Sequence, residues 1–206
     1  LTGPMAEDLL RAGATRISLG AQAFDDASLA LLGRAHGTAA TRNAFRAARA
    51  AGFRSVGLDL IAGIPGLAER TWRKTLAEAM ALEPEHLSVY LLSLEPGTPL
   101  AQAVAQDRQT LPSEDEQMDA LAAAEAFLAA HGYRRYEISN YAREGFECRH
   151  NLAVWRGADY LGVGPAAASR LGSLRRENAP DHARWAAALA SGAAPPYQEE
   201  TLRPEA

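Results

Sequence analysis

A single carboxylate, Asp59, interrupts the apolar run VGLDLIAGIP at residues 56–65. Burying a carboxylate in such a run is costly unless a partner or a ligand compensates its charge. Side chains alternate along a strand, so Asp59 lies on the face opposite Val56 and Leu58. In a barrel one of these faces lines the interior, where enzymes bind ligands near the carboxyl ends of the strands. From the pattern alone, a ligand contact and a structural role (an ion pair, or a cap on the next loop) explain Asp59 equally well.

Gln22 ends an earlier strand, in which it shares a small and polar face with Ser18 and Gly20. An amide at the end of such a face suits a ligand lying across the strand, although an exposed strand-end glutamine fits the pattern equally well. Arg34 follows on the next helix, and its planar guanidinium suits carboxylate or ribose oxygens. On residue type alone, a solvated helix-surface arginine is the favoured interpretation of Arg34.

Aromatic and basic side chains concentrate between Tyr136 and Leu171: they are Arg143, Arg149, His150, Trp155, Arg156 and Tyr160. Guanidinium groups pair with carboxylates, and aromatic rings offer flat stacking surfaces. The mixture suits a flat, apolar ring system with acidic side arms. His150 is a candidate ligand of haem iron, although a lone histidine more often makes ordinary hydrogen bonds. Cys148 is interpreted as an inert thiol.

Short apolar runs alternate with longer amphipathic stretches, a pattern typical of βαβ units and a parallel sheet. The predicted strands are 16–22, 55–62, 86–92 and 135–139. The predicted helices are 5–12, 26–34, 41–51, 69–82 and 181–191, with another from the capping box Ser113–Glu116 to His131. The predicted fold is therefore α/β, a partial (β/α) barrel of parallel strands with outer helices.

Both ends of the predicted barrel are expected to be truncated. The chain starts in a helix with no preceding strand, and the final EETLRPEA is predicted to begin another helix. We therefore expect strands to be missing before residue 1 and a domain to be missing after residue 206. Residues 1–178 are assigned to the C-terminal portion of the barrel, and residues 179–206 to a short helix and a connector.

Composition restricts the function classes. With 21 basic and 25 acidic residues the net charge is -4, which argues against nucleic-acid binding. No apolar run approaches the roughly 18 residues of a membrane span, and the chain opens without a secretory signal. The single cysteine, Cys148, excludes an internal disulfide and cannot hold a metal cluster alone. A reducing, cytoplasmic location is expected.

Six blocks in order, within about residues 8–180, resemble the HemW family of haem chaperones, which is related to oxygen-independent coproporphyrinogen III oxidase. The blocks are RISLGAQAF, LGRAH, GFRSVGLDLIAGIPG, LEPEHLSVYLLSLEPGTPL, GYRRYEISNYAREGFECRHNLAVWRGADYLGVG and SRLG. The resemblance implies a radical S-adenosylmethionine (SAM) partial barrel that carries a 4Fe-4S cluster. It also implies that Gln22, Arg34 and Asp59 contact SAM, and that Ser93 and Ala168 flank it.

The chain departs from the family pattern in several places. The cluster motif CxxxCxxC and the glycine-rich SAM segment lie upstream in the family and are absent here. We therefore expect this chain alone to bind no cluster, to bind SAM weakly or not at all, and to be inactive. Ala166–Ser169 stands where the family usually reads GAHS, so any role of that histidine is lost, and Val154 replaces a usual aromatic residue.

The resemblance implies a chaperone that binds haem and transfers it to an acceptor protein not identified by the sequence. The alternative is the oxidase, which decarboxylates coproporphyrinogen in porphyrin biosynthesis by a SAM-derived radical. The segment HNLAVWRG fits the chaperone better than the oxidase. A barrel enzyme of other chemistry is the third interpretation, and it requires the six-block match to be accidental. For either family function, Asp59 and Gln22 are expected to face the concave side of the sheet, with Arg34 within reach.

Overall fold

The computed structural model describes residues 1–203. The chain forms two compact units, of which the first is Leu1–Glu147 and the second begins at Cys148. No helix among the described residues is both long enough and apolar enough to cross a membrane.

A five-stranded sheet organises the first unit. Its strands are β1 (Ile17–Gln22), β2 (Val56–Ala62), β3 (His86–Leu91), β4 (Arg134–Arg135) and β5 (Asn140–Ala142). They lie in the order β1-β2-β3-β5-β4, so β1 is an edge strand. The pairs β1–β2 and β2–β3 are parallel, whereas β5 runs antiparallel to β3 and β4 antiparallel to β5. The α/β class is confirmed, as an open sheet with a parallel centre.

The fourth predicted strand, residues 135–139, is wrong. Most of this segment is the turn of a hairpin between β4 and β5. The Glu137 carboxylate accepts a hydrogen bond from the backbone N–H of Ser139 at 2.9 Å, and Arg135 Nε donates to the Glu137 carbonyl at 3.0 Å. Side chains thus satisfy the backbone locally, which stabilises a turn in place of a longer strand.

Six helices accompany this sheet: α1 (Gly3–Arg11), α2 (Asp26–Leu31), α3 (Thr38–Ala51), α4 (Glu69–Met80), α5 (Pro99–Ala105) and α6 (Glu114–Ala130). The predicted capping box is confirmed, since Ser113 Oγ accepts from the Glu116 N–H and Glu116 Oε2 accepts from the Ser113 N–H. Gly52 ends α3 with a φ of 104°, a left-handed conformation suited to glycine. Helix α5 was not predicted, because its seven residues follow a proline-rich turn.

One face of the parallel strands is buried against helices. Val56, Leu58 and Leu60 of β2 are fully buried, in one cluster with Phe45 of α3 and Leu76 of α4. Burying a side chain of this size contributes about 1.5–3 kcal/mol. Since alternate residues of a strand face opposite ways, this packing commits the intervening residues to the other face of the sheet, here called the inner face.

Over residues 148–203, the second unit contains a three-stranded antiparallel sheet and two helices. Its elements are α7 (Arg149–Trp155), β6 (Ala168–Leu171), β7 (Leu174–Asn178), α8 (His182–Ala190) and β8 (Tyr197–Thr201), and the strand order is β6-β7-β8.

Residues on both sides of position 178, where the chain was expected to divide, lie in the second unit. The compact units meet at Glu147, and β8 pairs with β7, so residues on both sides of position 178 share one sheet. The helix predicted for the final residues is wrong over residues 199–201, which belong to β8. An ion pair from Arg175 Nη1 to Glu200 Oε1, 2.8 Å long, supports this strand pairing. Positions 204–206 lie outside the described residues.

Candidate functional site

Asp59 lies on the inner face, in the middle of β2. The Ser18 hydroxyl of β1 donates a hydrogen bond to Asp59 Oδ1 at 2.8 Å. Gly20 and Ser88 are the register partners of Asp59 in the two neighbouring strands. The carboxylate is half-buried and makes no ion pair within residues 1–203. One hydroxyl contact thus orients Asp59 without neutralising its charge.

Gln22 occupies a strained backbone position at the end of β1. Its φ is 64°, in the left-handed region that is uncommon for residues with a side chain, and the β1–β2 register shifts between Gly20 and Gln22. A Cβ added to Gly20 would lie 2.7 Å from Gln22 Nε2. The amide of Gln22 therefore folds back over Gly20, on the face that carries Ser18. Strain of this kind clusters at ligand-binding sites.

Four of the five residues predicted to contact or flank SAM line one cavity. The cavity has a volume of about 490 Å³, in the range of small-molecule sites. It is lined by Gln22, Arg34, Asp59 and Ser93, together with Glu95 and Tyr90 and several leucines. Arg34 lies in the connection between α2 and α3, beyond the end of the helix on which it was predicted, and Ser93 lies in the loop after β3. Apolar walls with a few convergent polar groups are typical of a site for a small organic ligand.

The ionisable groups of this cavity are not paired with one another. Arg34, Asp59 and Glu95 line it, and none of them belongs to an ion pair of the described chain. Arg34 and Glu95 are exposed to solvent, and Asp59 is half-buried. Two carboxylates and one guanidinium are thus free to interact with a bound molecule.

Tyr90 and Glu95 line the cavity but were not predicted as site residues from the sequence. Tyr90 projects from β3 beside Ile61 of β2, its register partner, and is 43% exposed. An aromatic ring in that position can stack on a planar base. The alternation in HLSVYL places Tyr90 on the same face as Ser88. This pattern could have indicated from the sequence that Tyr90 lies on the inner face. Glu95 lies in the loop after β3, and its residue type alone does not identify a site.

His86 extends the polar inner face towards the amino end of β3. Its Nε2 hydrogen-bonds with the Tyr136 hydroxyl at 2.8 Å, and its buried Nδ1 has no hydrogen-bond partner in the part of the chain that is described. Burial lowers the pKa of His86 to about 3, helped by the positive charge of Arg16. A Cβ on Gly57 would lie 2.9 Å from Ser18 Oγ and 3.5 Å from His86 Nδ1. The imidazole and the hydroxyl therefore both occupy the space above Gly57 that a larger side chain would need.

The other candidates are described by the unit to which they belong. Ala168 begins β6 and is half-buried, and His150 is exposed on α7; both belong to the second unit. Across residues 1–203 no three His, Cys, Asp or Glu side chains form a group that could hold a metal ion. Arg143 lies in the first unit, where its Nε donates to the Tyr133 hydroxyl at 3.2 Å. Arg143 is thus engaged within the fold.

A larger cavity, of about 790 Å³, lies between α4 and α6 and includes none of the predicted site residues. Three of its four charged side chains are already engaged: Arg73 pairs with Glu69 at 2.8 Å, and Glu116 closes the capping box with Ser113, whereas Asp119 belongs to no ion pair of the described residues. The smaller cavity, with its unpaired charges, is therefore the better candidate for a ligand site.

Comparison with known proteins shows what the chain as a whole is similar to. Residues 1–79 match the sequence profile of the radical SAM superfamily. The chain is 40% identical over 157 residues to the haem chaperone HemW of Escherichia coli, which covers 76% of this chain and 40% of that protein. It is 36% identical over 195 residues to HemW of Mycobacterium tuberculosis, covering 95% of this chain and 50% of that protein. The chain thus spans half or less of the length of these relatives.

The solved structure of the E. coli coproporphyrinogen III oxidase HemN, a radical SAM enzyme, superimposes with a TM-score of 0.79. The match covers 98% of this chain and 49% of that one at 24% sequence identity, so it concerns the fold. Profile, sequence similarity and fold agree. The chain is therefore similar to proteins of the radical SAM superfamily related to HemW.

Proposed function

We propose that this chain is the SAM-binding part of a haem chaperone of the HemW type, which binds haem and transfers it to an acceptor protein. The observation that carries the proposal is the convergence of Gln22, Arg34, Asp59 and Ser93 on one cavity with unpaired charges. Identities of 35–40% to several proteins named heme chaperone HemW support the chaperone over the oxidase, which is matched at the level of the fold.

The chemistry of SAM matches the cavity. Its ribose hydroxyls are donors, which suit the Asp59 carboxylate, and its amino-acid carboxylate suits the fork of Arg34. The amide of Gln22 can both donate and accept. Leu31, Leu32 and Tyr90 supply apolar and aromatic walls for the adenine ring.

The 4Fe-4S cluster of the superfamily does not fit this chain. Such clusters are held by several cysteine thiolates, and the chain has the single cysteine Cys148. No residue here is assigned to a cluster. Without the cluster as a second anchor for SAM, we expect the isolated chain to bind SAM weakly.

Weak binding is measurable by NMR titration at millimolar ligand. SAM should shift the amide signals of residues that line the cavity, and Asp59→Asn should abolish most of these shifts. Asp107→Asn is a matched control, because Asp107 is exposed, is not among the residues that line the cavity, and has a φ of 54° that asparagine tolerates. Equal shifts in the wild type and in Asp59→Asn would contradict the proposed site.

Haem binding is tested separately, by titrating the full-length protein with haem and following the Soret band. We propose His150 as the haem ligand, since it is exposed on α7. His150→Ala should then change the Soret spectrum, whereas His182→Ala, at another exposed histidine, should not. Oxidative decarboxylation of coproporphyrinogen without haem binding would favour the oxidase, the alternative that the HemN-like fold also accommodates.

A further inference from the structure

Glu95 lines the cavity, and neither the sequence pattern nor the family resemblance assigned it a role. It follows β3 in the turn Glu95-Pro96-Gly97-Thr98. The inference drawn from it rests on the proposed SAM site and concerns which nucleoside that site prefers.

The position of Glu95 is fixed by hydrogen bonds to its backbone and its side chain. Its carbonyl accepts from Thr98 Oγ1 at 2.8 Å, and Thr98 Oγ1 in turn accepts from the Ala101 N–H at 3.2 Å, which caps α5. Ser93 Oγ donates to Glu95 Oε1 at 3.3 Å. The turn is therefore tied to the start of a helix, and the carboxylate is tied to another residue of the cavity lining.

The charges of the cavity leave Glu95 without a counterpart. The residues that line the cavity include one guanidinium, that of Arg34, and two carboxylates, those of Asp59 and Glu95. When Arg34 binds the carboxylate of the ligand and Asp59 binds ribose hydroxyls, the charge of Glu95 remains uncompensated. A positively charged ligand group would compensate it: SAM and S-adenosylhomocysteine share an α-ammonium, and SAM alone carries a second positive charge at its sulfonium.

We infer that Glu95 binds the cationic part of the nucleoside and thereby selects the sulfonium form, SAM, over its neutral thioether counterpart, S-adenosylhomocysteine. The two ligands share the adenine, the ribose and the amino acid, and they differ by a methyl group and a positive charge at sulfur. A residue that responds to this charge changes the ratio of the two affinities. A residue that only shapes the cavity changes both affinities together.

The test is an NMR titration of the wild type, Glu95→Gln and Glu144→Gln with each nucleoside. Glu95→Gln removes the charge and keeps an oxygen that can accept from Ser93. Glu144→Gln removes the same charge from an exposed residue that does not line the cavity. We expect Glu95→Gln to lose about threefold to tenfold in SAM affinity while S-adenosylhomocysteine affinity is unchanged. Glu144→Gln should keep both affinities, and Glu95→Asp, which retains the charge, should keep the preference for SAM.

Equal losses for both ligands, or no loss for either, would overturn the role of Glu95. If the wild type binds neither nucleoside, the proposed SAM site itself fails, and the inference fails with it. If the wild type binds both and Glu95→Gln leaves their ratio unchanged, the proposed site stands and the inference about Glu95 is wrong. The amide spectrum of each variant without ligand reports whether the fold is intact.

Discussion

The hydroxyl of Ser18 on β1 donates to Oδ1 of Asp59 on β2 across 2.8 Å, and this contact links two strands at the inner face of the sheet. It holds the acidic side chain in one orientation before any ligand arrives. Preorganisation of this kind lowers the entropy that is lost on binding.

Ser18→Ala should therefore weaken SAM binding without abolishing it. The carboxylate keeps its charge and loses one hydrogen bond, so we expect an affinity loss of about threefold to tenfold. NMR titration measures the change, and Ser173→Ala, at an exposed serine of the second unit, provides the control. An unchanged affinity would show that Asp59 needs no help from Ser18.

Gly20→Ala tests the close approach of the Gln22 amide. The new methyl group would lie 2.7 Å from Gln22 Nε2, so the amide must move away from the position it takes over Gly20. We expect shifted Gln22 side-chain amide signals and weaker SAM binding. Gly3→Ala is the matched control, because a Cβ there would meet no atom within 4 Å. Unmoved Gln22 signals in Gly20→Ala would contradict the described geometry.

His86 should make the stability of the fold sensitive to mild acid. Its pKa in the folded chain is about 3, below the usual 6.5, so as the pH falls below 6.5 the unfolded chain takes up a proton that the folded chain does not. Stability from this source is complete above pH 6.5 and declines by about 1.4 kcal/mol per pH unit as the pH falls towards 3.

Urea unfolding between pH 7 and pH 4 measures this effect. His86→Gln should show a flatter dependence of the unfolding free energy on pH than the wild type, whatever its absolute stability. His182→Gln, at an exposed histidine, should keep the wild-type slope. Equal slopes for the wild type and His86→Gln would mean that His86 is protonated in the folded chain.

Trp72→Phe separates stability from binding. Trp72 Nε1 donates to the Ala120 carbonyl at 2.8 Å, which joins α4 to α6, and the side chain is 3% exposed. Loss of this buried hydrogen bond and of ring volume should cost about 1–3 kcal/mol of unfolding free energy. Since Trp72 does not line the proposed SAM cavity, SAM affinity at low temperature should be retained. A large affinity loss in a folded variant would argue for the cavity between α4 and α6 as the ligand site.

Local sequence patterns were sufficient to predict the parallel strands and helix α6 with its capping box. Residues 56–62 alternate between core and inner face, so the isolated acid in that run already marked a polar position inside the sheet. Ser113 and Glu116 marked the start of α6 three residues apart. Both patterns involve residues that are close in sequence, and both are found in the folded structure.

Long-range placement was not predictable in the same way. The antiparallel hairpin of β4 and β5 depends on side chains that satisfy a turn, and β8 depends on pairing with β7. Convergence of Arg34 and Ser93 on the Asp59 cavity was expected through the family resemblance, because neither residue type identifies a site alone. Glu95 was missed because an acidic residue in a proline-containing turn looks like any solvated loop residue.

Within the described chain β1 pairs with β2 alone, so its other side offers free backbone N–H and C=O groups next to the bulge at Gln22. An unpaired sheet edge of this kind can pair with a further strand, whether from the same polypeptide or from a second molecule. A strand added there would run beside the backbone that aims the Gln22 amide. Nucleoside affinity and strand addition would then be thermodynamically linked, and each would strengthen or weaken the other by the same factor.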